Sequence, residues 1–441
     1  MKKILLIAWI TVFLLPGCDK DKDTLSSAER PDARLNKVLD EYKELLTGAE
    51  WGWKAVLYPG GGSRYSFHFN FSENDRVKML SDINSTTAVE EYESTYRLRA
   101  MQQPSLLFDT YSYLHILSDP DETKSGGDRG QGRYSDFEFR FINAGENTIE
   151  LTGNYNGSKL ILERATQEEA LYHMESIAAT INAFEKLNSF STYFKRMKLG
   201  NKTYDIAANT VFRTITFNYY EGAVPRSFTS EYYYAGGDIV LLNPFTDGDL
   251  TINSLQDVAF NSAANEITVK VNNSSGRIQE ATTPVRVNAF AGRSFYTDPP
   301  NGSYAVSISG FTAEGKEDAF DLFSIEDYYF LVYWPRFGEV PGNEKPTGEI
   351  VDLFGFILYN EAEQRPEIGY GPALKTNITN DGRVVFIQVD EFGETPEQAR
   401  PMVAATVEQL VIPEGYYVIP TVEGGYDLVS AKDARTWISF F

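Results

Sequence analysis

Tyr65-Ser-Phe-His-Phe-Asn-Phe71 decides the fold class. Tyr65, Phe67, Phe69 and Phe71 fall at a period of two, with Ser66, His68 and Asn70 between them. Successive side chains of a strand point to opposite faces, so this is a strand with an aromatic core face and a wetter back. Working outward, Trp51–Tyr58 reads as the preceding strand, turned by Pro59-Gly-Gly-Gly62, and Asn74-Asp75 turns the chain into Val77–Leu80. Further strands fall at Ser94–Met101, Ser105–Phe108, Tyr111–Leu117, Asp136–Ile142, Thr148–Thr152 and Lys159–Arg164. Short strands at close spacing with no helix between them imply an antiparallel meander, curled into a barrel or sandwich.

Two helices frame this meander. Over Pro31–Leu46, Leu35, Val38, Leu39, Tyr42, Leu45 and Leu46 make one apolar stripe, with Pro31 in the first turn and Gly48 at the stop. Thr166-Gln-Glu-Glu169 is a capping box that opens a second, longer helix ending by Gly200. Its stripe of Leu171, Met174, Ile177, Ile181, Phe184 and Leu187 reads as core, and the helix as a hinge between β units.

Beyond it the period of two returns. Ile215–Tyr219 parallels Phe67–Phe71, Ile239–Asn243 parallels Ser105–Asp109, and Asn265–Val269 parallels Asn147–Leu151, in conserved order. This suggests an internal duplication carried on short strings. From Gly292 the chain is again mostly β: Tyr328–Trp334 and Val351–Tyr359 read as buried strands, and Asn380-Asp-Gly382 as a hairpin turn before Val384–Val389. Gly338–Thr347 reads as an exposed loop, Glu397–Leu410 as a short helix, and Trp437–Phe441 as a closing strand. The expectation is a mainly β protein with a minor helical part: antiparallel barrel or sandwich-like units joined by a long helix and preceded by an amphipathic one. Its divisions are 1–17, 18–30, 31–165, 166–199, 200–290 and 291–441.

The first two divisions concern location. Lys2 and Lys3 precede the apolar run Ile4–Leu15, which has signal-peptide length and falls short of the roughly 20 residues of a membrane span. Leu15-Pro-Gly-Cys18 resembles the lipobox of bacterial lipoproteins, which implies cleavage before Cys18 and lipidation of its sulfur. Residues 18–30, opening Asp19-Lys-Asp-Lys-Asp23, read as a lipidated, disordered tether. Its acidic start resembles signals that route lipoproteins to the outer surface.

Charge and composition bound the chemistry. The net charge is -22, which opposes binding to nucleic acid or to anionic membranes. Cys18 is the one cysteine, so disulfides within the chain and thiolate metal clusters are excluded. The three histidines, His68, His115 and His173, fit neither a zinc frame nor a nucleophile elbow. The loop Gly126-Gly-Asp-Arg-Gly-Gln-Gly132 is not closed by Lys-Ser/Thr, so it is no phosphate loop. Its neighbours define the candidate site. Tyr111 and Tyr113 offer stacking faces and Asp119, Asp121, Asp128 and Arg129 offer hydrogen bonds to a sugar. The same acidic oxygens suit Ca²⁺, and a hairpin connection is the plain alternative.

Pro104–His115 with Leu117-Ser-Asp-Pro120, Ser135-Asp-Phe-Glu-Phe139, Leu151-Thr-Gly153, Tyr42–Thr47 and Gly52-Trp-Lys54 together resemble the lipoprotein family known as domain of unknown function 4302. The resemblance is strongest over 35–165. It implies an outer-membrane, surface-exposed lipoprotein of Gram-negative gut-type bacteria. Such proteins are encoded beside TonB-dependent transporter and binding-lipoprotein pairs of the starch-utilisation type, sometimes with a zinc peptidase. The family assigns no catalytic residues. Three function classes follow: a non-enzymatic accessory that binds a glycan, peptide or partner protein in nutrient acquisition, a carboxylate-based hydrolase of glycosidase type, and a structural or adhesin-like surface protein.

Overall fold

A computed structural model of the 441-residue chain describes residues 31–222, 224–339, 349–421 and 424–441. The signal segment, Cys18 and the tether lie outside the described residues, as does most of the Gly338–Thr347 loop. The chain is mainly β, as the period of two predicts. Among the described residues no helix is long and apolar enough to cross a membrane.

Helix α1 (Pro31–Thr47) leads into a closed eight-stranded antiparallel barrel. Its strands are β1 (Trp53–Tyr58), β2 (Tyr65–Phe71), β3 (Arg76–Ser81), β4 (Tyr92–Ala100) and β5 (Pro104–Phe108). After a long connection come β6 (Glu138–Ala144), β7 (Thr148–Gly153) and β8 (Lys159–Arg164). Each strand pairs with the next, and β1 also pairs with β8, Trp53 opposite Arg164. Closure leaves no free edge. Eight strands enclose just enough room for side chains, and here Trp53, Phe67, Phe69, Phe108 and Phe139 fill the lumen. Tyr42 of α1 stacks on Phe141 at 4.1 Å, Leu46 joins the same core, and the Leu46 carbonyl accepts from Trp53 Nε1 at 2.9 Å.

The long connection corrects one strand expected from sequence. Tyr111–Leu117 is not extended: it holds the one-turn helix α2 (Tyr113–Ile116), followed by α3 (Glu122–Ser125). The aromatics alternate there, but the buried leucines, Leu114 and Leu117, stand three apart, which is helical spacing. His115 therefore lies on a helix.

Helix α4 (Gln167–Glu185) opens on the expected capping box, Thr166 with Glu169. It is shorter than the 166–199 expected. A 3₁₀ turn follows at Lys186–Ser189, and Phe194–Leu199 is strand β9, where Phe194, Met197 and Leu199 are buried and Lys198 is exposed. That strand closes a second barrel with β10 (Lys202–Asn209), β11 (Thr214–Glu221), β12 (Val224–Ala235), β13 (Asp238–Asp247), β14 (Leu250–Asn261), β15 (Glu266–Val271) and β16 (Ser274–Ala281). β9 pairs with both β10 and β16. Met174, Ile177, Ile181 and Phe184 of α4 belong to its core.

Both barrels thus read helix, then eight strands in order. Two of the three sequence parallels fall at the same serial position, β5 with β13 and β7 with β15. The other sets β2, a second strand, against β11, a third.

Helix α5 (Ala291–Thr297) precedes a nine-stranded sheet of β17 (Ala305–Ser307), β18 (Phe311–Ala313), β19 (Tyr328–Gly338), β20 (Val351–Asn360), β21 (Arg365–Ile378), β22 (Val384–Phe392), β23 (Tyr416–Pro420), β24 (Tyr426–Ser430) and β25 (Thr436–Phe440). Helix α6 (Arg400–Leu410) lies between β22 and β23, which share a single pair, Val384 with Tyr416. β18 pairs with β25, and Val306 of β17 exchanges two 3.0 Å backbone bonds with Phe441. Both pieces of this broken first strand therefore meet the C-terminal strand, and the sheet curls back on itself. The break is at Gly310, φ +64°, where a Cβ would stand 2.5 Å from Leu322 Cδ1.

Candidate functional site

The structure spreads the sequence-predicted residues apart. Tyr111 is half exposed and stacks on His115 at 5.7 Å, which stacks on Phe137 at 4.3 Å. It lines a cavity of about 280 Å³ with Thr123, Lys124 and Val211. The Tyr113 hydroxyl instead donates to the Glu90 carbonyl at 2.9 Å. Asp119 accepts from the Asp121 amide at 2.9 Å. Asp121 caps α3, accepting from Thr123 N at 3.0 Å and Thr123 Oγ1 at 2.7 Å, and those bonds hold its carboxyl below the usual range. Asp128 accepts from the Tyr134 hydroxyl at 3.0 Å and lines a separate cavity of about 160 Å³. Arg129 is exposed at the tip. Among the described residues no three His, Cys, Asp or Glu side chains are grouped to hold a metal ion; Asp119 and Asp121 accept from local backbone amides and Asp128 from the Tyr134 hydroxyl.

The glycine-rich segment is a docking piece between barrels. A Cβ on Gly126, φ +64°, would stand 2.0 Å from the Val211 carbonyl oxygen of the second barrel. Next to it Arg133, buried, donates to the Phe212 carbonyl at 2.7 Å and to Glu231 at 3.1 Å. Its backbone carbonyl accepts from Gly61 N at 2.8 Å, binding the segment to the β1–β2 turn. A second arginine answers from the other barrel. Arg213, 1% exposed, pairs with Asp82 at 2.9 Å, also donates to the Asp82 carbonyl, and donates to the Arg64 carbonyl at 2.7 Å. Its guanidinium lies 4.0 Å from the Tyr65 ring and 5.0 Å from the Tyr234 ring. Burial raises the Asp82 carboxyl against the pull of Arg213.

The family-like motifs around it are structural too. Asp136 of the Ser135–Phe139 string accepts from Tyr155 N, Asn156 N, Ser158 N and Ser158 Oγ at 2.6–3.0 Å. Gly153 of the Leu-Thr-Gly string must lack a side chain, because a Cβ would stand 1.9 Å from Asp136 Oδ2.

A cleft of about 450 Å³ lies where the second barrel meets the C-terminal unit, and sequence reasoning missed it. Tyr193, between the 3₁₀ turn and β9, builds the junction. Its amide donates to the Ala434 carbonyl at 2.7 Å and its hydroxyl to Asp427 at 2.6 Å. Phe194, Tyr417, Val429 and Ala434 pack around it, and Trp437 meets the Tyr193 ring edge-on at 5.5 Å. On the far wall β11 presents Asn218, Tyr219 and Tyr220. The Tyr220 hydroxyl donates to the Arg286 carbonyl at 2.9 Å, and the Arg286 guanidinium lies 5.6 Å from the Tyr220 ring.

The charged groups here are unevenly engaged. Asp205 accepts from Arg196 Nε and Nη2 at 3.0 and 2.8 Å and from Val285 N at 2.7 Å. Burial still raises its carboxyl, with Arg196 pulling the other way. Lys195 is half-buried, and burial lowers its ammonium while Glu280 opposes that. Glu280 faces Lys195 across the β9–β16 pair, but its oxygens accept from Ser191, Thr192 and Asn265. The signal that marks this face is the doublet Tyr219-Tyr220: in a strand only one of two neighbours can point into the barrel. Tyr219 packs on Tyr204 and Phe245, so Tyr220 must face out.

Comparison with known proteins adds one family. No curated protein matches the chain. A structure of the octameric penicillin-binding protein homologue from Pyrococcus abyssi is 8% identical, covering 34% of this chain and 36% of that one at a TM-score of 0.15. The chain therefore spans about a third of that structure's length. The DNA polymerase III subunit beta from Borrelia burgdorferi is 7% identical over 92% of this chain and 97% of that one, at a TM-score of 0.13. Neither superposition is close enough to describe a shared fold. The family match is of another kind: it runs over residues 27–261, from before α1 to the end of β14, more than half of the chain. The chain belongs to the family described as Domain of unknown function (DUF4302).

Proposed function

We propose that this protein is a lipid-anchored, surface-exposed outer-membrane protein that captures a saccharide as a non-enzymatic accessory of nutrient uptake. The observation that carries the reading is the cleft between the second barrel and the C-terminal unit. Tyr193, Tyr220 and Trp437 line it together with Asn218 and Asn188. Sugars offer apolar ring faces and a rim of hydroxyls, and aromatic faces beside amides and cations complement both. Its volume lies within the range of small-ligand sites. Asp205, the carboxylate that lines it, is held by an arginine and a backbone amide, which is the work of a wall rather than of an acid–base pair.

Anchoring rests on Leu15-Pro-Gly-Cys18 and the acidic stretch behind it. Partners of the TonB-dependent transporter type belong to the same proposal and rest on the family likeness. The test is a glycan and peptide array probed with the full-length protein, repeated with Tyr220→Ala and Trp437→Ala. Saccharide signals lost in both variants support the cleft. Signals unchanged in both variants, or a peptide-only response, refute it.

A further inference from the structure

The cleft is a basic place on an acidic protein. The chain carries 62 acidic and 40 basic residues, yet Lys195, Arg226 and Arg286 line the cleft against one acid, Asp205. Arg196 offsets that acid from just behind the wall. Of the three cations, Arg226 pairs with Glu221 at 2.8 Å. Arg286 uses one Nη1 donor on the Gly222 carbonyl at 2.7 Å and is otherwise exposed. Lys195 donates to the Tyr193 carbonyl at 3.4 Å and, among the described residues, has no carboxylate within 4.0 Å. Glu280 faces it across the β9–β16 pair, but its oxygens are taken by Ser191, Thr192 and Asn265, so the half-buried ammonium makes no direct ion pair and gains from a further anion. Lys54, Lys78, Lys202 and Lys270 each hold an acid directly, whereas Lys195 does not.

Taking the cleft reading above as its basis, we infer that the ligand is an anionic saccharide, whose charged group meets Lys195 and Arg286 while its ring stacks on the cleft aromatics. A uronic-acid carboxylate and a sulfate ester share this chemistry. Both present anionic oxygens to an ammonium and to free guanidinium N–H groups. The negative exterior repels such ligands at long range, so the discrimination comes from the few cations inside the cleft rather than from steering.

The test uses titration calorimetry on the full-length protein with two matched pairs. One is tetragalacturonate and its methyl ester. The other is a κ-carrageenan tetrasaccharide and its desulfated form. The charged member of one pair is expected to bind at least about tenfold tighter than its neutral partner, and the responding pair tells carboxylate from sulfate. Lys195→Gln is expected to abolish that difference with an unchanged melting transition, whereas Lys270→Gln on the outer face leaves it intact. Equal binding of charged and neutral members overturns the anion while sparing the cleft. Hexaglutamate binding as tightly as the charged sugars overturns the saccharide. A blank glycan array overturns the cleft reading itself.

Discussion

Arg213→Met tests whether the first two barrels are locked by one buried ion pair. The guanidinium lies 2.9 Å from the Asp82 carboxylate, and the two side chains are 1% and 0% exposed. At that distance, with an effective dielectric near 20, the gross attraction is about 6 kcal/mol. Desolvation of both groups cancels much of it, so the pair as a whole adds little net stability. Removing one partner is different. Methionine keeps apolar contact with Tyr65 and Tyr234, but it strands a carboxylate with no water and no counter-charge, and the Arg64 carbonyl loses its donor. The expected loss is about 3–5 kcal/mol. The double variant Asp82→Asn/Arg213→Met should recover about half or more, since no charge is left buried. The assay is urea unfolding of the full-length protein followed by tryptophan fluorescence, with scanning calorimetry alongside. Trp53, buried in the first barrel, reports on the side of the interface that holds Asp82. Several units unfold, so the transition that carries Trp53 is the one to fit. A single variant within 1 kcal/mol of the parent, or a double variant no better than the single, refutes the reasoning.

Other outcomes follow from the same physics. Glu169 bonds Lys54 at 2.8 Å and completes the α4 capping box, which holds its carboxyl down at about 2. A carboxyl depressed on folding contributes stability above its unfolded value of 4.5 and loses it as pH falls toward 2. Both partners are partly exposed, so Glu169→Gln should cost about 1 kcal/mol at pH 7, and the gap to the parent should shrink in urea titrations between pH 4.5 and 2.5. Asp136→Ala leaves the backbone donors of Tyr155, Asn156 and Ser158 without their acceptor and should cost about 2–4 kcal/mol, read as a lower melting temperature and faster amide exchange in that loop. Gly126→Ala forces a side chain onto the Val211 carbonyl at a positive φ and should destabilise by about 2 kcal/mol or more, and a neutral result would mean the segment does not dock as described. Cys18→Ser should release the protein from the membrane fraction, and unmodified Cys18 in mass spectra of the parent would remove the anchor from the proposal.

Local pattern was legible wherever one strand carried its own evidence. β2 follows from four alternating aromatics, and the α4 start from its capping box. The choice of a barrel over a sandwich was left open, because Trp53 meets Arg164 across the whole unit and neither residue announces the closing pair. The helical turn at Tyr113–Ile116 was hidden by aromatics that mimic a strand. The cleft was hidden for the same reason as closure: Tyr193, Tyr220, Arg286 and Trp437 stand far apart in sequence and meet only through docking. Glycine density pointed to a ligand loop, yet close backbone approach between barrels requires the same residue.

The filled lumens have a consequence for how specificity can change. A hollow barrel retunes its ligand by swapping inward side chains on one domain. Here aromatic rings occupy that space, and the cleft is shared between β9–β11 and β23–β25. Any ligand held there touches both units, so its binding energy is also energy that fastens them together. A saturating ligand should therefore raise the temperature at which the C-terminal unit separates from the second barrel. Retuning such a site calls for matched changes on both walls, in the second barrel and in the terminal unit alike.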